Sequence, residues 1–265
     1  EPTHLVNGAR LPLSPDWTQT IIQPLRLKAD DSANRSFLWN VGGEIKRTKA
    51  FGDMLKQLPE IHVGKVQLLT EYFGQYPCIG CGSSTQPLFC NGGIPQLANL
   101  AEHARSIKAD LDARVPENYS GYLVQDYEEW APDRYETVYL NASIVLARQR
   151  DPSLRGPELV DAAREQFRNA SLRFLTFTLE TVRRLRPNAS GYGYYGLPEN
   201  EYWPGYPDAN LSKANDAMLP VWKASSAIYV SLYLPYQSGK DESLARNQQY
   251  IDGVLTEASR VAELV

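Results

Sequence analysis

Residues 122 to 130, Tyr122-Leu123-Val124-Gln125-Asp126-Tyr127-Glu128-Glu129-Trp130, pass from an apolar run straight into a cluster of carboxylates. An apolar strand that turns acidic at its C-terminal end is what a parallel strand-helix barrel presents at its active-site face. Side chains alternate along a strand, so Asp126 and Glu128 are expected on one face. Two carboxylates at that spacing, partly buried, cannot both ionise cheaply, and one is expected to hold its proton near neutral pH. A glycosidase general acid needs such a proton. A solvated acidic loop explains the same letters, and spacing alone leaves both readings open.

Outward from this stretch, strand-like apolar runs recur at 37–41, 63–72, 121–125, 191–196 and 226–234, separated by segments of helical period. That alternation predicts parallel βα units and an α/β fold. The longest helical pattern, Pro157 to Leu185, places Leu159, Ala162, Ala163, Phe167, Ala170, Phe174, Phe177 and Val182 on one stripe. Pro157 opens it, Pro187 follows it, and Arg183, Arg184 and Arg186 complement the C-terminal end of the helix dipole. A last helix is predicted over Leu244 to Leu264. Residues 1–36 read as an extended lead-in, and residues 37–265 as one continuous layered domain, a length that strand-helix barrels routinely occupy.

Composition narrows the function. The chain has 265 residues, 43% of them apolar and 22% charged, with a net charge of -4, which gives no global footprint for nucleic acid or an anionic membrane. No apolar run is long enough to span a bilayer, and the start at Glu1-Pro2-Thr3-His4 reads as a mature or trimmed chain. Six of thirteen asparagines, Asn34, Asn118, Asn141, Asn169, Asn188 and Asn210, begin Asn-x-Ser/Thr triplets, where chance predicts about 1.4. The excess predicts a glycosylated, secreted or lysosomal protein. Cys78, Cys81 and Cys90 then suggest one local disulfide and one thiol, with the pairing open. Their Cys-x-x-Cys start lacks a fourth ligand at zinc spacing, so no metal is expected. Gly191-Tyr192-Gly193-Tyr194-Tyr195-Gly196 matches a dinucleotide fingerprint formally, but Leu197-Pro198 follows where a helix should begin. It reads as a strand ending in a loop, with Tyr192 and Tyr194 on one face and Tyr195 on the other.

Beyond these local readings, the chain resembles the hyaluronidase family of endo-β-N-acetylhexosaminidases. The resemblance is carried in order by Phe37-Leu38-Trp39-Asn40-Val41, Asn91-Gly92-Gly93-Ile94-Pro95-Gln96, Asp126 to Trp130, Ala163-Arg164-Glu165-Gln166-Phe167, Leu185-Arg186-Pro187, Gly193-Tyr194-Tyr195-Gly196-Leu197-Pro198, Asn215-Asp216 and Ser231-Leu232-Tyr233-Leu234. It implies a distorted TIM-like barrel and endolytic cleavage of hyaluronan or chondroitin with retention of configuration. By the same resemblance Glu128 is the acid/base and Asp126 orients the substrate acetamido group, which attacks the anomeric carbon itself. Tyr195, Tyr233, Tyr72, Trp130 and Trp222 fall among substrate-binding positions. No cofactor is implied.

The chain also departs from the family. Ala131 stands after Trp130 where relatives have Arg, which removes a cation from beside the acidic motif. A pocket tyrosine aligns with Leu69, with Tyr72 nearby. Lys46 and Asn200 occupy family cysteine positions. The chain ends in the helix after Tyr233, so the barrel is expected to lack its last strands, with an open edge. Ala131, Leu69 and the short end favour a rival from another class, a hyaluronidase-like glycan-binding surface protein without turnover. A chitin-directed or chondroitin-preferring hydrolase keeps the mechanism and changes only the sugar.

Overall fold

The structure, a computed structural model, describes residues 37–39, 49–57, 61–63, 65–70, 72–80, 89–132, 134–196, 209–233, 236 and 241–265. The lead-in with Asn34, and Lys46, Cys81 and Asn200, lie outside the described residues.

The element order is β1 (Phe37–Trp39), α1 (Lys49–Gln57), β2 (Ile61–Val63), β3 (Val66–Thr70), β4 (Cys78–Ile79), β5 (Phe89–Cys90), a 3-10 turn (Pro95–Leu97), α2 (Leu100–Arg114), β6 (Tyr122–Asp126), β7 (Trp130–Ala131), β8 (Arg134–Tyr135), α3 (Thr137–Arg150), α4 (Gly156–Leu185), β9 (Gly191–Tyr194), α5 (Ala209–Ala217), α6 (Leu219–Ala224) and α7 (Asp241–Ala262). The frame is a parallel sheet in the order β3-β6-β9, with Thr70 opposite Asp126 and Gln125 opposite Tyr194. β1 and β2 form a second parallel pair, and β4-β5 and β7-β8 are short antiparallel ribbons. The α/β expectation with parallel strands holds; among the described residues the strands form open sheets rather than a closed barrel.

Two predicted strands come out differently. The run 63–72 is divided: β2 pairs with β1, while β3 pairs with β6. The run 226–234 keeps one parallel bridge, Tyr195 to Tyr229. The reason is local competition for the ladder. Ser226 Oγ accepts from the Tyr192 amide at 3.0 Å, and the amides of Ser226 and Ala227 both donate to the Tyr192 carbonyl at 2.8 and 3.3 Å. A side chain thus takes a backbone donor that a regular strand needs.

The helical stripe reads as predicted at its deepest positions. α4 buries Leu159, Ala163, Phe167, Phe174 and Val182 fully, while Ala162, Ala170 and Phe177 are half-buried. Burying an aromatic such as Phe167 or Phe174 contributes about 2 to 3 kcal/mol each, which fixes α4 against the sheet and its neighbours. Arg186 caps α4 by donating to the Leu185 carbonyl at 2.8 Å and reaches the Val115 carbonyl at 2.9 Å beyond α2. Asp112 completes its fork at 3.1 Å. α2 begins on Asn99, whose Oδ1 accepts from the amides of Ala101 and Glu102. Ahead of it Asn91, Gly92 and Gly93 take three consecutive positive φ angles, and a Cβ on Gly92 would meet the Leu97 carbonyl oxygen at 2.7 Å. The Asn-Gly-Gly triplet is the turn that aims α2. The last helix starts three residues before its predicted start.

Candidate active site

Three parallel strands end side by side at Thr70, Asp126 and Tyr194, and the candidate residues gather just past those ends. Tyr195 follows β9, its amide held by the Gln125 carbonyl at 2.9 Å, and the Gly196 amide donates to the Tyr229 carbonyl at 3.2 Å. The first bond carries the β9 extension along β6, and the second, with the Tyr195–Tyr229 bridge, sets the segment that leads through Ser231 to Tyr233 on the far side of β9. The hydroxyl of Tyr195 is hydrogen-bonded to the side chains of Ser231 and Tyr233 and lies within the field of Asp126. Burial, with the neighbouring Tyr233 and Asp126 adding to it, pushes Tyr195 up to about 12, so it stays a neutral phenol across any physiological pH. Asp126, Tyr195, Ser231 and Tyr233 therefore form one polar group at the C-terminal end of the sheet. Ser231 was missed as a site residue although it opens the matched segment Ser231 to Leu234. Tyr250 of α7, also missed, braces it by donating to the Ser231 carbonyl at 2.9 Å.

Glu128 is positioned by its neighbours. Strand β6 stops at Asp126, and Glu128 is exposed in the turn that follows, while Asp126 is half-buried. The strand alternation that would put both carboxylates on one pleated face therefore ends one step too early, and the burial invoked for the pair applies to Asp126 alone. On either side of the turn two aromatics are anchored. Tyr127 donates to the Phe73 carbonyl at 2.8 Å; the Trp130 amide donates to Tyr76 Oη at 3.0 Å and its indole N–H to the Pro77 carbonyl at 2.7 Å. The Tyr76 ring lies between them, stacked at 4.4 Å on Tyr127 and 4.7 Å on Trp130. Burial raises Tyr76 well above the usual phenol range, so its hydroxyl remains a donor and acceptor at this joint. This clamp fixes both ends of the segment that carries Glu128 and Glu129. Sequence pattern offered no sign of Tyr76, because the contact joins residues 54 positions apart.

The remaining expected positions divide. Tyr72 and Tyr233 are each 67% exposed and stand near the ends of β3 and the 229–233 segment, open to a ligand. Trp130 and Trp222 are buried, at 1% and 3% exposure, with their indole N–H groups donating to the backbone carbonyls of Pro77 and Asn215. Trp222 packs near Tyr194 and lines a narrow crevice with Ala131 and Asn215. Ala131 is buried in β7 opposite Arg134 in register, and Leu69 faces the core. Tyr194 is buried with its hydroxyl on the Tyr127 carbonyl at 3.3 Å, and Tyr192, half-buried, lies under the Arg183 guanidinium. The Gly191–Gly196 motif is a strand that ends in a bend at Gly196, φ 101°.

Compartment markers lie on the surface. Asn118, Asn141, Asn169 and Asn188 are exposed, and the side chain of Asn210 lies outside the described residues. Cys78 is disulfide-bonded, and Cys90, which stands opposite it in the β4-β5 ribbon, is not part of that disulfide. Among the described residues no group of His, Cys, Asp and Glu is placed to hold a metal, and no helix is long and apolar enough to cross a membrane.

Comparison with known proteins agrees with the sequence resemblance. Hyaluronidase PH-20 of Macaca fascicularis is 32% identical over 221 residues, covering 78% of this chain and 42% of that protein. The human PH-20 is 33% identical over 72% of this chain and 38% of its own length, and hyaluronidase-1 of Sus scrofa 32% identical over 71% and 45%. The chain thus spans less than half the length of these relatives. In three dimensions it is similar to bee venom hyaluronidase, solved in complex with a hyaluronic acid tetramer, with a TM-score of 0.73 at 21% identity over 87% of this chain and 76% of the other. The hyaluronidase family model matches residues 53–265, and the chain belongs to that family.

Proposed function

We propose that this chain carries the catalytic machinery of an endo-acting glycoside hydrolase that cleaves hyaluronan or a chondroitin-type glycosaminoglycan with retention. The observation that carries the reading is the convergence of Asp126, Tyr195, Ser231 and Tyr233 at one end of a parallel sheet, beside the clamped turn that presents Glu128. The bound tetrasaccharide of the bee venom relative supports the substrate class.

Glu128 protonates the leaving glycosidic oxygen while the acetamido oxygen of the substrate attacks the anomeric carbon, forming a cyclic oxazolinium. Asp126 orients that acetamide through its N–H and stabilises the positive charge that develops on it, from a half-buried position where the field of a carboxylate is poorly screened. Glu128, now ionised, takes a proton from the water that opens the ring, which restores both the acid and the substrate acetamide. Two inversions give net retention without a protein nucleophile, so no second carboxylate at about 5 Å is required. Tyr195, neutral and doubly bonded, holds the shape of the subsite; Tyr72 and Tyr233 offer ring faces to sugar C–H groups. Trp130 and Trp222 act as packing behind it. The domain is residues 37–265 preceded by the lead-in 1–36, and the exposed sequons with the disulfide at Cys78 support a secreted or lysosomal location.

The test is reducing-end release from hyaluronan and unsulfated chondroitin across pH 3.5 to 7.5, for the wild type, Glu128→Gln and Asp126→Asn. Release on the acid side that both substitutions abolish supports the mechanism. A second reading, glycan binding without turnover, is favoured by the buried Ala131 in place of the family cation. Saturable binding of hyaluronan by a folded wild type that releases no ends establishes it.

A further inference from the structure

On the outer helical layer, a cleft of about 740 Å³ opens between the 3-10 turn that precedes α2 and the exposed side of α4, with the end of α3 closing it. Its floor is apolar, supplied by Leu97, half exposed, and by the edge of the buried Phe174. Gln166, Asn169 and Arg173 stand above that floor at steps of three and four on one face of α4. Across from them Arg150 comes from the C-terminal end of α3 and donates to Gln166 Oε1 at 3.1 Å. Gln96 pins the opposite wall by donating to Ser143 Oγ at 2.8 Å. No acidic residue lines the cleft, and among the described residues neither Arg150 nor Arg173 is in an ion pair. Two unpaired guanidiniums in a concave site, on a chain of net charge -4, are a local reversal of sign.

We propose that this cleft is a second carbohydrate site, taking a hexuronate-bearing stretch of a glycosaminoglycan away from the reacting bond. Each part matches one part of such a sugar. The guanidiniums are forks for carboxylate oxygens, the amides of Gln166 and Asn169 pair with hydroxyls or an acetamide, and Leu97 with Phe174 packs against the C–H face of the ring. The choice of polymer rests on the function proposed above; the anionic preference rests on the cleft alone. Asn169 is itself an acceptor site, so a glycan on it fills the cleft and removes this binding.

The experiment uses the full chain carrying Glu128→Gln to prevent turnover, in a sample shown by mass to lack glycan at Asn169. It is titrated calorimetrically with a hyaluronan oligosaccharide, with the same oligosaccharide after reduction of its carboxyl groups, and with sulfate. Two sites are expected, of which Arg150→Ser with Arg173→Ser abolishes or weakens one by about tenfold or more, as does carboxyl reduction. With Glu128 restored, the arginine variant is expected to keep its kcat on a short oligosaccharide and to raise its KM for the polymer. Unchanged stoichiometry and affinity in a folded arginine variant overturn the proposal, as does sulfate binding there as well as the sugar. A wild type that releases no reducing ends while the arginine-dependent binding persists removes the catalytic reading and leaves this site standing.

Discussion

Lowering the pH is predicted to weaken the fold through one buried ring. His103 lies on α2 with no exposure, tilted at 4.3 Å against Phe174. Its Nδ1 accepts the Gln75 amide at 2.8 Å, and its Nε2 lies 2.8 Å from Thr178 Oγ1, whose own hydroxyl donates to the Phe174 carbonyl. Thr178 is therefore the acceptor, the proton sits on Nε2, and the neutral imidazole satisfies every partner. The packing is close: a Cβ on Gly74 would come within 2.6 Å of the ring, and Gly74 holds a φ of +68°. Protonation at Nδ1 sets N–H against N–H in a site without water access. Burial accordingly lowers His103 from 6.5 to about 3. A depressed folded value gives stability that is complete above pH 6.5 and is lost as pH falls toward 3. Each pH unit in that window costs about 1.4 kcal/mol, so between pH 7.5 and 4.5 this group alone removes about 3 kcal/mol, a large part of a typical domain's margin. The assay is urea unfolding of the wild type and His103→Gln at both pH values. The variant is expected to start less stable, having lost the stacked ring, and to decline by about 3 kcal/mol less. Equal declines, or a His103 ring proton that titrates near pH 6 by NMR, refute the reasoning.

Three further outcomes are expected. Gly193→Ala places a Cβ 2.2 Å from the Ala227 carbonyl oxygen, so the 226–229 segment must leave β9 and Tyr195 loses its support; a fall in unfolding midpoint together with lost activity or glycan affinity checks it. Glu257, buried on α7, accepts from Asn215 at 2.9 Å and from Arg260 at 2.7 and 2.8 Å, and Arg260 foremost holds its carboxyl below the usual range. Glu257→Ala is expected to cost about 2 kcal/mol and to release α7 first, seen as faster hydrogen exchange in residues 241–262 than in β6. Since its folded value is lowered, that contribution is present above pH 4.5 and is lost as pH falls below it. Among the described residues nothing hydrogen-bonds the two buried amide atoms of Gln125, so Gln125→Met is expected to raise the unfolding free energy by about 1 to 2 kcal/mol; a lower unfolding free energy counts against it.

What was legible in the sequence, and what was not, follows from the range of the interactions. The 3.6-residue stripe of α4 and the apolar run of β6 are local signals, and both elements stand where the pattern put them. The 226–234 run carried the same local signal and still failed, because Ser226 diverts the Tyr192 amide, a choice made across 34 positions of chain. The site shows the same limit. Asp126 could be placed at the end of its strand from residue spacing, yet the setting of Glu128 depends on Tyr76, which no periodicity marks. Trp130 shows the same limit: an aromatic beside an acidic motif reads as a sugar platform, and only the fold shows its indole N–H held by Pro77 and its ring by Tyr76. Its conversion to Phe is therefore a test of positioning and not of contact. The hydrogen bond to the Pro77 carbonyl at 2.7 Å goes, and the stack on Tyr76 remains. If Trp130 steadies the turn, Trp130→Phe lowers kcat, or the yield of cleaved ends, while leaving KM for hyaluronan nearly unchanged, because Glu128 and not the sugar is displaced. A raised KM with kcat intact would return Trp130 to the binding surface.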